Sequence, residues 1–203
     1  VPLYWEKKII GFYGVDNPPA ESLDYVSDML HIMGSFIVSS IRRRNLLRQL
    51  ERMSYRDQLT QFGNRYAVDW FVEHEWNGEQ IGVVYCDITG LKKVNDEQGH
   101  EAGDRLIIRA CECLAGVFKG YGLYRIGGDE FLVLCLGIEE KDLREHVEKL
   151  RMDMKEHQVT MAVGMIWKEH GPKDIDLLLN ESERLMYEDK DRYYKKHGLK
   201  RRR

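Results

Sequence analysis

The chain has 203 residues, of which 43% are hydrophobic, and this length allows one ordinary domain with its own core plus an appendage. The formal net charge of −3 gives no electrostatic basis for nucleic-acid binding. No apolar run is long enough to span a membrane, and the N-terminus has no signal-peptide pattern, so we expect a cytoplasmic protein. The four cysteines form no CxxC pair, which favours buried thiols over disulfides or a zinc site.

Residues 1–19 are predicted to contain one strand, residues 8–15, closed by the turn-forming sequence Asp16-Asn17-Pro18-Pro19. Since a lone strand has no partner, we expect the rest of its sheet to lie outside this chain. The chain does not begin with Met, which indicates a piece of a longer protein. The segment resembles the end of a GAF domain, a small-molecule sensor module.

Residues 20–55 are predicted to form one long helix, because apolar residues recur at alternating three- and four-residue steps. This seam resumes in an offset register after Arg42-Arg43-Arg44. Its members are Leu23, Val26, Leu30, Met33, Ile37, Leu46, Leu50 and Met53. We interpret the helix as half of a two-helix stalk, since nothing else in the chain could cover so long a stripe. The alternative is a single amphipathic helix that packs on its own domain.

The remaining residues, 56–203, alternate helical and strand patterns. Helices are predicted over 64–76, 101–118, 140–156 and 174–196, and strands over 81–88, 122–137 as a hairpin, and 159–166. The order strand–helix–strand–strand–helix–strand is the split βαβ pattern of a ferredoxin-like domain, so we expect a mixed α/β (α+β) fold.

The hairpin carries the most informative stretch of the chain, Gly127-Gly128-Asp129-Glu130-Phe131. The glycines allow a tight turn between strands predicted at 123–126 and 131–136, and the carboxylates follow at or just beyond its tip. Adjacent strand residues point to opposite faces, so we expect Asp129 and Glu130 to differ in role. Taken alone, a solvated turn explains the same residues.

Asp87 stands at the end of the apolar strand predicted at 81–88. If this strand neighbours the hairpin, its carboxylate meets those of Asp129 and Glu130, and the three repel one another unless a cation lies between them. Hard oxygen ligands suit Mg²⁺ or Mn²⁺, which then bridge phosphate oxygens. The alternative is that Asp87 merely caps the following turn.

Five collinear blocks resemble the GGDEF family, the diguanylate cyclases, over residues 55–197. Besides the hairpin block these are Asp57-Gln58-Leu59-Thr60 with Asn64-Arg65, the segment 86–96, Gly99-His100-Glu101-Ala102-Gly103-Asp104, and Met186-Tyr187-Glu188-Asp189-Lys190. The resemblance implies a ferredoxin-like core shared with nucleotide cyclases, with a central, mainly antiparallel sheet.

The resemblance also implies a role for each matched residue. Two Mg²⁺ or Mn²⁺ ions per active site would be held by Asp87, Asp129 and the backbone carbonyl of Ile88. GTP would be bound by Asn95, His100, Asp104, Lys92 and Lys190. The catalytic residues would be Asp129, Glu130 and Lys92.

Base selection has a physical reason at Asp104. A carboxylate can accept hydrogen bonds from the N1–H and the amino group of guanine together, whereas adenine has no N1–H to offer. The alternatives are an acidic residue in the first turn of a helix for Asp104, and a histidine in a polar loop for His100.

Some positions depart from the family pattern. Thr89 stands where the family usually has Asp, Leu91 where it has Phe, and Tyr194 where it has Arg. The inhibitory product site needs the motif RxxD, and the corresponding window is Phe118-Lys119-Gly120-Tyr121, so we expect this site to be absent.

Together these residues predict a diguanylate cyclase that joins two GTP molecules into cyclic di-GMP and two pyrophosphates. One domain cannot present both nucleotides, so we expect a homodimer formed through the stalk helix and the GGDEF domains. The alternative, motivated by the departures, is a GTP-binding regulatory or dimerisation module with weak or no turnover.

Overall fold

The computed structural model describes residues 1–5, 8–16, 19, 23–53, 55–172 and 175–198. The chain forms two compact units, Val1–Ser54 and Tyr55–Arg203, and each is described by itself. Parts of some predictions fall outside the described residues: positions 17 and 18 of the first turn, helix positions 20–22, 54 and 174, and the side chains of Leu23 and Met53.

The first unit begins with two paired strands rather than one. Strand β1 (Pro2–Trp5) pairs antiparallel with β2 (Lys8–Phe12). The expectation of a strand without a partner in this chain is therefore wrong. The partner is the short segment before it, whose Leu3, Tyr4 and Trp5 include the aromatic residues that favour extended backbone.

Helix α1 (Leu23–Met53) packs on this strand pair through a glycine. Gly34 is buried, and a Cβ atom there would lie 3.0 Å from the hydroxyl oxygen of Tyr13 and 3.5 Å from the side chain of Leu3. Much of the predicted seam faces away from these contacts, since Met33, Leu46 and Leu50 are 47%, 50% and 62% exposed. The strand pair thus leaves a long apolar stripe of the first unit uncovered.

The second unit is a four-stranded antiparallel sheet with helices on both faces. Its strands are β3 (Ile81–Ile88), β4 (Gly122–Arg125), β5 (Glu130–Leu136) and β6 (Met161–Lys168), in the spatial order β4-β5-β3-β6. Its helices are α2 (Arg65–His74), α3 (Leu91–Gln98), α4 (His100–Val117), α5 (Glu140–Glu156) and α6 (Asp176–Lys196). This arrangement confirms the predicted α/β fold with an antiparallel sheet.

Strand β3 organises the core, because each of its eight residues is buried. Val84, Cys86 and Ile88 pack with α4 and α5 on one face of the sheet, while Val83 and Tyr85 pack with α2 and α6 on the other. The alternation follows from the period of two residues along a strand. A central strand that is covered on both faces needs apolar residues throughout. Asp87, the second-last residue of β3, is the exception, since it is acidic and buried.

Helix α3 is an element that the sequence patterns did not separate from the loop between β3 and α4. Gly90 and Gly99 bracket it, with left-handed φ angles of 89° and 83°. Its sequence is mostly polar, and Leu91 is its buried residue. Eight residues with two apolar positions, Leu91 and Val94, are too few to establish a helical period, which is why the pattern missed it.

The cysteines and the apolar character of the helices were also considered in the sequence. The four cysteines are unpaired and buried, as predicted. No helix within the described ranges combines the length and apolar character needed to cross a membrane.

Helix α6 packs directly against β6 at Gly164, so the stability of the fold depends on the absence of a side chain there. A Cβ atom at Gly164 would lie 2.0 Å from the carbonyl oxygen of Ser182 and 2.3 Å from the backbone nitrogen of Met186. We expect Gly164→Ala to lower the free energy of unfolding by about 1–3 kcal/mol or more, because backbone atoms must move apart. Urea unfolding followed by circular dichroism measures the effect.

The matched control is Gly116→Ala, since a Cβ atom at this exposed glycine of α4 would meet nothing within 4 Å. Alanine there should leave the free energy of unfolding unchanged or raise it by up to about 1 kcal/mol, because alanine favours helix over glycine. Equal unfolding midpoints for the two variants would contradict the close approach of α6 to β6.

Candidate active site

The end of β3 brings Asp87 to the tip of the hairpin. Asp87 lies opposite Glu130 of β5 and Ala162 of β6 in the antiparallel register. The Ile88 N–H donates a hydrogen bond to the carbonyl oxygen of Asp129 at 2.9 Å. The predicted metal-binding residues are thus neighbours in space, although α3, α4 and β4 lie between them in sequence.

Asp87 is 3% exposed and forms an ion pair with Lys190, whose Nζ lies 2.6 Å from its Oδ1. Both side chains are largely removed from solvent, so the attraction is weakly screened. The family resemblance predicts that Lys190 binds GTP, and the structure places it against the carboxylate of Asp87. This contact joins the last family block, on α6, to the strand block.

The adjacent Asp189 fixes α6 on the sheet. Its carboxylate accepts hydrogen bonds from the Val163 N–H at 2.9 Å, from Arg192 at 3.0 Å and from Arg151 at 3.3 Å. Burial acts to raise the pKa of Asp189, but these hydrogen bonds and the charge of Arg151 outweigh it and lower the pKa. The ionised carboxylate therefore holds α6 in the position that brings Lys190 to Asp87.

Negative charge is concentrated around Glu130. Burial raises the pKa of Glu130, and the charges of Asp129, Asp87 and Glu183 raise it further, while Lys190 acts in the opposite direction. Glu183 was not among the predicted site residues. A sequence signal for it exists, because it precedes Lys190 by seven residues and so lies two turns away on the same face of α6.

This cluster fits the divalent ions that the family resemblance implies. Its donors are carboxylate oxygens, the hard ligands that Mg²⁺ and Mn²⁺ prefer. Burial is the main cause of the raised pKa of Glu130, and the negative charges of Asp129, Asp87 and Glu183 act on it together, against the positive charge of Lys190. A cation in contact with Asp87 and Asp129 would offset these negative charges.

The hairpin tip is held by Arg125, another residue that the sequence analysis did not single out. Its guanidinium donates to the carbonyl oxygen of Gly128 at 2.8 Å and to Oδ1 of Asp57 at 3.1 Å. Asp57 also accepts from the backbone N–H of Thr60 at 2.9 Å and from its hydroxyl at 2.7 Å. The first family block therefore supports the tip from a distant part of the sequence.

The predicted base-reading residues lie where α3 meets α4. A Cβ atom at Gly103 would lie 1.9 Å from Oδ1 of Asn95, so a glycine is needed for this approach. The same Oδ1 atom is buried and has no hydrogen-bond partner among the described residues. Asp104 follows Gly103 and is exposed. The structure thus places a buried acceptor against Gly103, the residue that precedes the exposed Asp104.

Lys92 and His100 are exposed at the starts of α3 and α4. Within the described part of the chain, neither forms an ion pair with the carboxylate cluster. The structure thus brings four of the predicted residues together, namely Asp87, Asp129, Glu130 and Lys190. It packs Asn95 against Gly103, which precedes Asp104. Lys92 and His100 lie outside the carboxylate cluster.

Comparison with known sequences identifies the family. The sequence model of the family described as "Diguanylate cyclase, GGDEF domain" matches residues 54–196, which is most of the chain. A Streptomyces griseus protein, described as an uncharacterized protein in the hutH 5' region, is 34% identical over 119 residues, which cover 55% of this chain and 49% of that protein. The diguanylate cyclase DgcP of Escherichia coli is 26% identical over 184 residues, covering 80% of this chain and 54% of DgcP.

Comparison with solved structures supports the same fold. The coiled coil and GGDEF domain of DgcB from Caulobacter crescentus, solved in complex with c-di-GMP, superposes with a TM-score of 0.61 at 20% identity, covering 84% of this chain and 96% of that one. This chain spans about half the length of the two curated relatives, at 49% and 54%. By the extent of the family match, the chain belongs to the GGDEF family of diguanylate cyclases.

Proposed function

We propose that the protein is a diguanylate cyclase that condenses two GTP molecules into cyclic di-GMP and two pyrophosphates. The observation that carries the proposal is the placement of the buried Asp87 directly opposite Glu130, with Asp129 at the adjoining turn. A solvated turn does not need a buried carboxylate beside it. Membership of the family supplies the reaction class.

In each of two equivalent steps, the 3′-hydroxyl oxygen of one GTP forms a bond to the α-phosphorus of the other. The bond from that phosphorus to the bridging oxygen breaks, and pyrophosphate leaves. Asp129 or Glu130 accepts the proton of the attacking hydroxyl. Mg²⁺ or Mn²⁺, held by Asp87, Asp129 and the carbonyl of Ile88, would supply neutralisation of the phosphate charge when bound.

Nucleotide recognition is assigned to the residues around α3 and α4. Asp104 accepts hydrogen bonds from the guanine N1–H and amino group, Asn95 contacts the same base, and His100 makes a further substrate contact. Lys92 and Lys190 face the triphosphate. Lys190 has a second task, because its ion pair with Asp87 orients that carboxylate.

The active species is a homodimer, because each domain presents one nucleotide and the reaction needs two. The uncovered apolar stripe of α1 supports this assembly, since Met33, Leu46 and Leu50 would be covered by a second stalk helix. Joining the domains through the stalk raises the concentration of each relative to the other.

A GTP-binding regulatory module without turnover is the second candidate, and it rests on Thr89, Leu91 and Tyr194. The buried position of Leu91 weakens this alternative, because it provides an apolar side chain to the core where the family has Phe. Incubation with GTP and Mg²⁺ followed by chromatography separates the two. Cyclic di-GMP supports the cyclase, and its absence despite bound GTP supports the module.

We expect Asp129→Asn to lower the rate of cyclic di-GMP synthesis by at least about 100-fold, because loss of a carboxylate weakens the cations that stabilise the transferring phosphate. The rate is measured by chromatography at saturating Mg²⁺. Asp142→Asn makes the same chemical change at an exposed position in the first turn of α5 and should keep the full rate. Comparable rates for the two variants would refute the metal-binding role.

Asp104→Ala should reduce the preference for GTP over ATP. Without the carboxylate, the guanine N1–H and amino group lose their acceptor, which costs about 1–3 kcal/mol in the binding of GTP but not of ATP. Competition binding of the two nucleotides measures the difference. The control is Asp96→Ala, an exposed aspartate on α3, for which the preference should stay unchanged. If Asp104→Ala also leaves it unchanged, Asp104 does not read the base.

Cyclic di-GMP should inhibit this protein by competition with GTP and not through a separate site. Where the inhibitory motif needs Arg, the chain has Phe118, which is fully buried and packs near His146 with ring centroids 5.6 Å apart. A buried phenylalanine cannot supply the two-pronged contact that Arg makes with phosphate or guanine. Initial rates at rising cyclic di-GMP should recover fully in excess GTP. Noncompetitive inhibition would show that another surface binds the product.

A further inference from the structure

Three side chains with metal-binding atoms meet between α4 and α5, apart from the residues assigned to the nucleotide. They are Cys113 of α4, Asp153 of α5 and His157, which caps the end of α5. One potential ligand atom from each lies within 4.8 Å of the other two. The spacing of the cysteines did not predict such a site, because the ligands come from two helices that only the fold brings together.

The geometry is close to that of a zinc site. Ligand bonds of about 2.0–2.3 Å in a tetrahedral site place neighbouring ligand atoms roughly 3.4–3.6 Å apart. Oδ2 of Asp153 and Nδ1 of His157 are 3.6 Å apart, a distance that fits once Nδ1 gives up its contact, at 2.9 Å, with the carbonyl oxygen of Asp153. The three ligand atoms lie within 4.8 Å of one another, so the longest of these distances must shorten by roughly 1 Å to reach the tetrahedral value. The side chain of His157 is 40% exposed and stands at a helix end, so it has room to move.

Burial and charge favour a cation at this point. Cys113 is fully buried while His157 reaches solvent, so the cluster runs from the core to the surface and an ion can enter from outside. The carboxylates of Asp153, Glu156 and Glu112 place negative charge near His157, and this charge attracts a divalent cation.

The chemistry of the thiol gives the proton balance. Cys113 is a free, fully buried thiol, and binding a metal through its sulfur requires the loss of the S–H proton. A metal ion with affinity for thiolate forms the metal–sulfur bond as the S–H bond breaks and the proton leaves to water.

We propose that Cys113, Asp153 and His157 bind a divalent transition metal of the zinc class, with water as the fourth ligand. Thiolate, imidazole and carboxylate together select Zn²⁺ over Mg²⁺. The bound ion links α4 to α5. The rival explanation is a hydrogen-bonded contact between the helices without metal affinity.

The test is a Co²⁺ titration of untagged protein in excess Mg²⁺, followed by the sulfur-to-cobalt charge-transfer absorption in the near ultraviolet. Mg²⁺ occupies sites made of oxygen ligands alone, so the absorption reports the thiolate. We expect the band in the unmodified protein and its loss in Cys113→Ala. Zn²⁺ should displace the Co²⁺ and remove the band.

Two further variants make the result independent of folding defects. His157→Ala changes a half-exposed residue and should weaken Co²⁺ binding at least about tenfold, since even losing a supporting contact to a metal ligand costs that much. Cys111→Ala removes another buried thiol of the same helix and should leave binding unchanged. Zn²⁺ should raise the melting temperature of Cys111→Ala but not of His157→Ala.

The proposal is overturned if saturating Co²⁺ gives no charge-transfer band, if the band persists in Cys113→Ala, or if His157→Ala binds Co²⁺ as tightly as the unmodified protein does. The first result would leave the hydrogen-bonded contact as the explanation. A band that persists in Cys113→Ala, or unchanged Co²⁺ binding by His157→Ala, would show that other residues bind the metal.

Discussion

A carboxylate buried at the end of the central strand is the constraint on which the site depends. Removing an ionised carboxylate from water is costly unless a partner of opposite charge is close. Asp87 is 3% exposed, and Lys190 at 2.6 Å is that partner. Lys190 in turn depends on α6, which Asp189 ties to β6 and to Arg151 of α5. The charge balance of the site therefore depends on the packing of α6 against the sheet.

The hairpin shows a second form of preorganisation. Its tip is a turn containing two glycines, which would be mobile without outside support. Arg125 joins the Gly128 carbonyl to Asp57, and the Ile88 N–H holds the Asp129 carbonyl. Fixed dipoles and charges stabilise a reacting phosphate better than groups that must first reorient. If the tip carries the reacting carboxylates as proposed, these contacts hold them in place before substrate binds.

The sequence was most informative where one physical rule dominates. The buried strand β3 and the amphipathic helix α5 were placed at their observed bounds, because a continuous apolar run and a helical period are strong signals. Strand β6 was placed two residues too early, at 159–166 instead of Met161–Lys168. Helix α3 was missed because its residues are mostly polar.

Contacts between distant segments were the least accessible from sequence. The family blocks pointed to Asp87 and Lys190 separately, but their ion pair depends on how α6 packs against the sheet. The pairing of Arg125 with Asp57 bridges 68 positions, and no local pattern encodes it. Glu183 was accessible in principle through its helical spacing from Lys190. Cys113, Asp153 and His157 gave no motif, because their proximity arises from helix packing.

The two left-handed glycines around α3 have a consequence for motion. They bracket an eight-residue helix that has Leu91 as its buried residue and is joined to the rest of the fold by glycines, the residues with the fewest backbone restrictions. Such an element opens locally at a lower free energy than a central strand such as β3. Asn95 lies on it, and Lys92 lies in its first turn. If Asn95 and Lys92 bind the nucleotide as proposed, part of the binding free energy is spent on suppressing the local opening of α3.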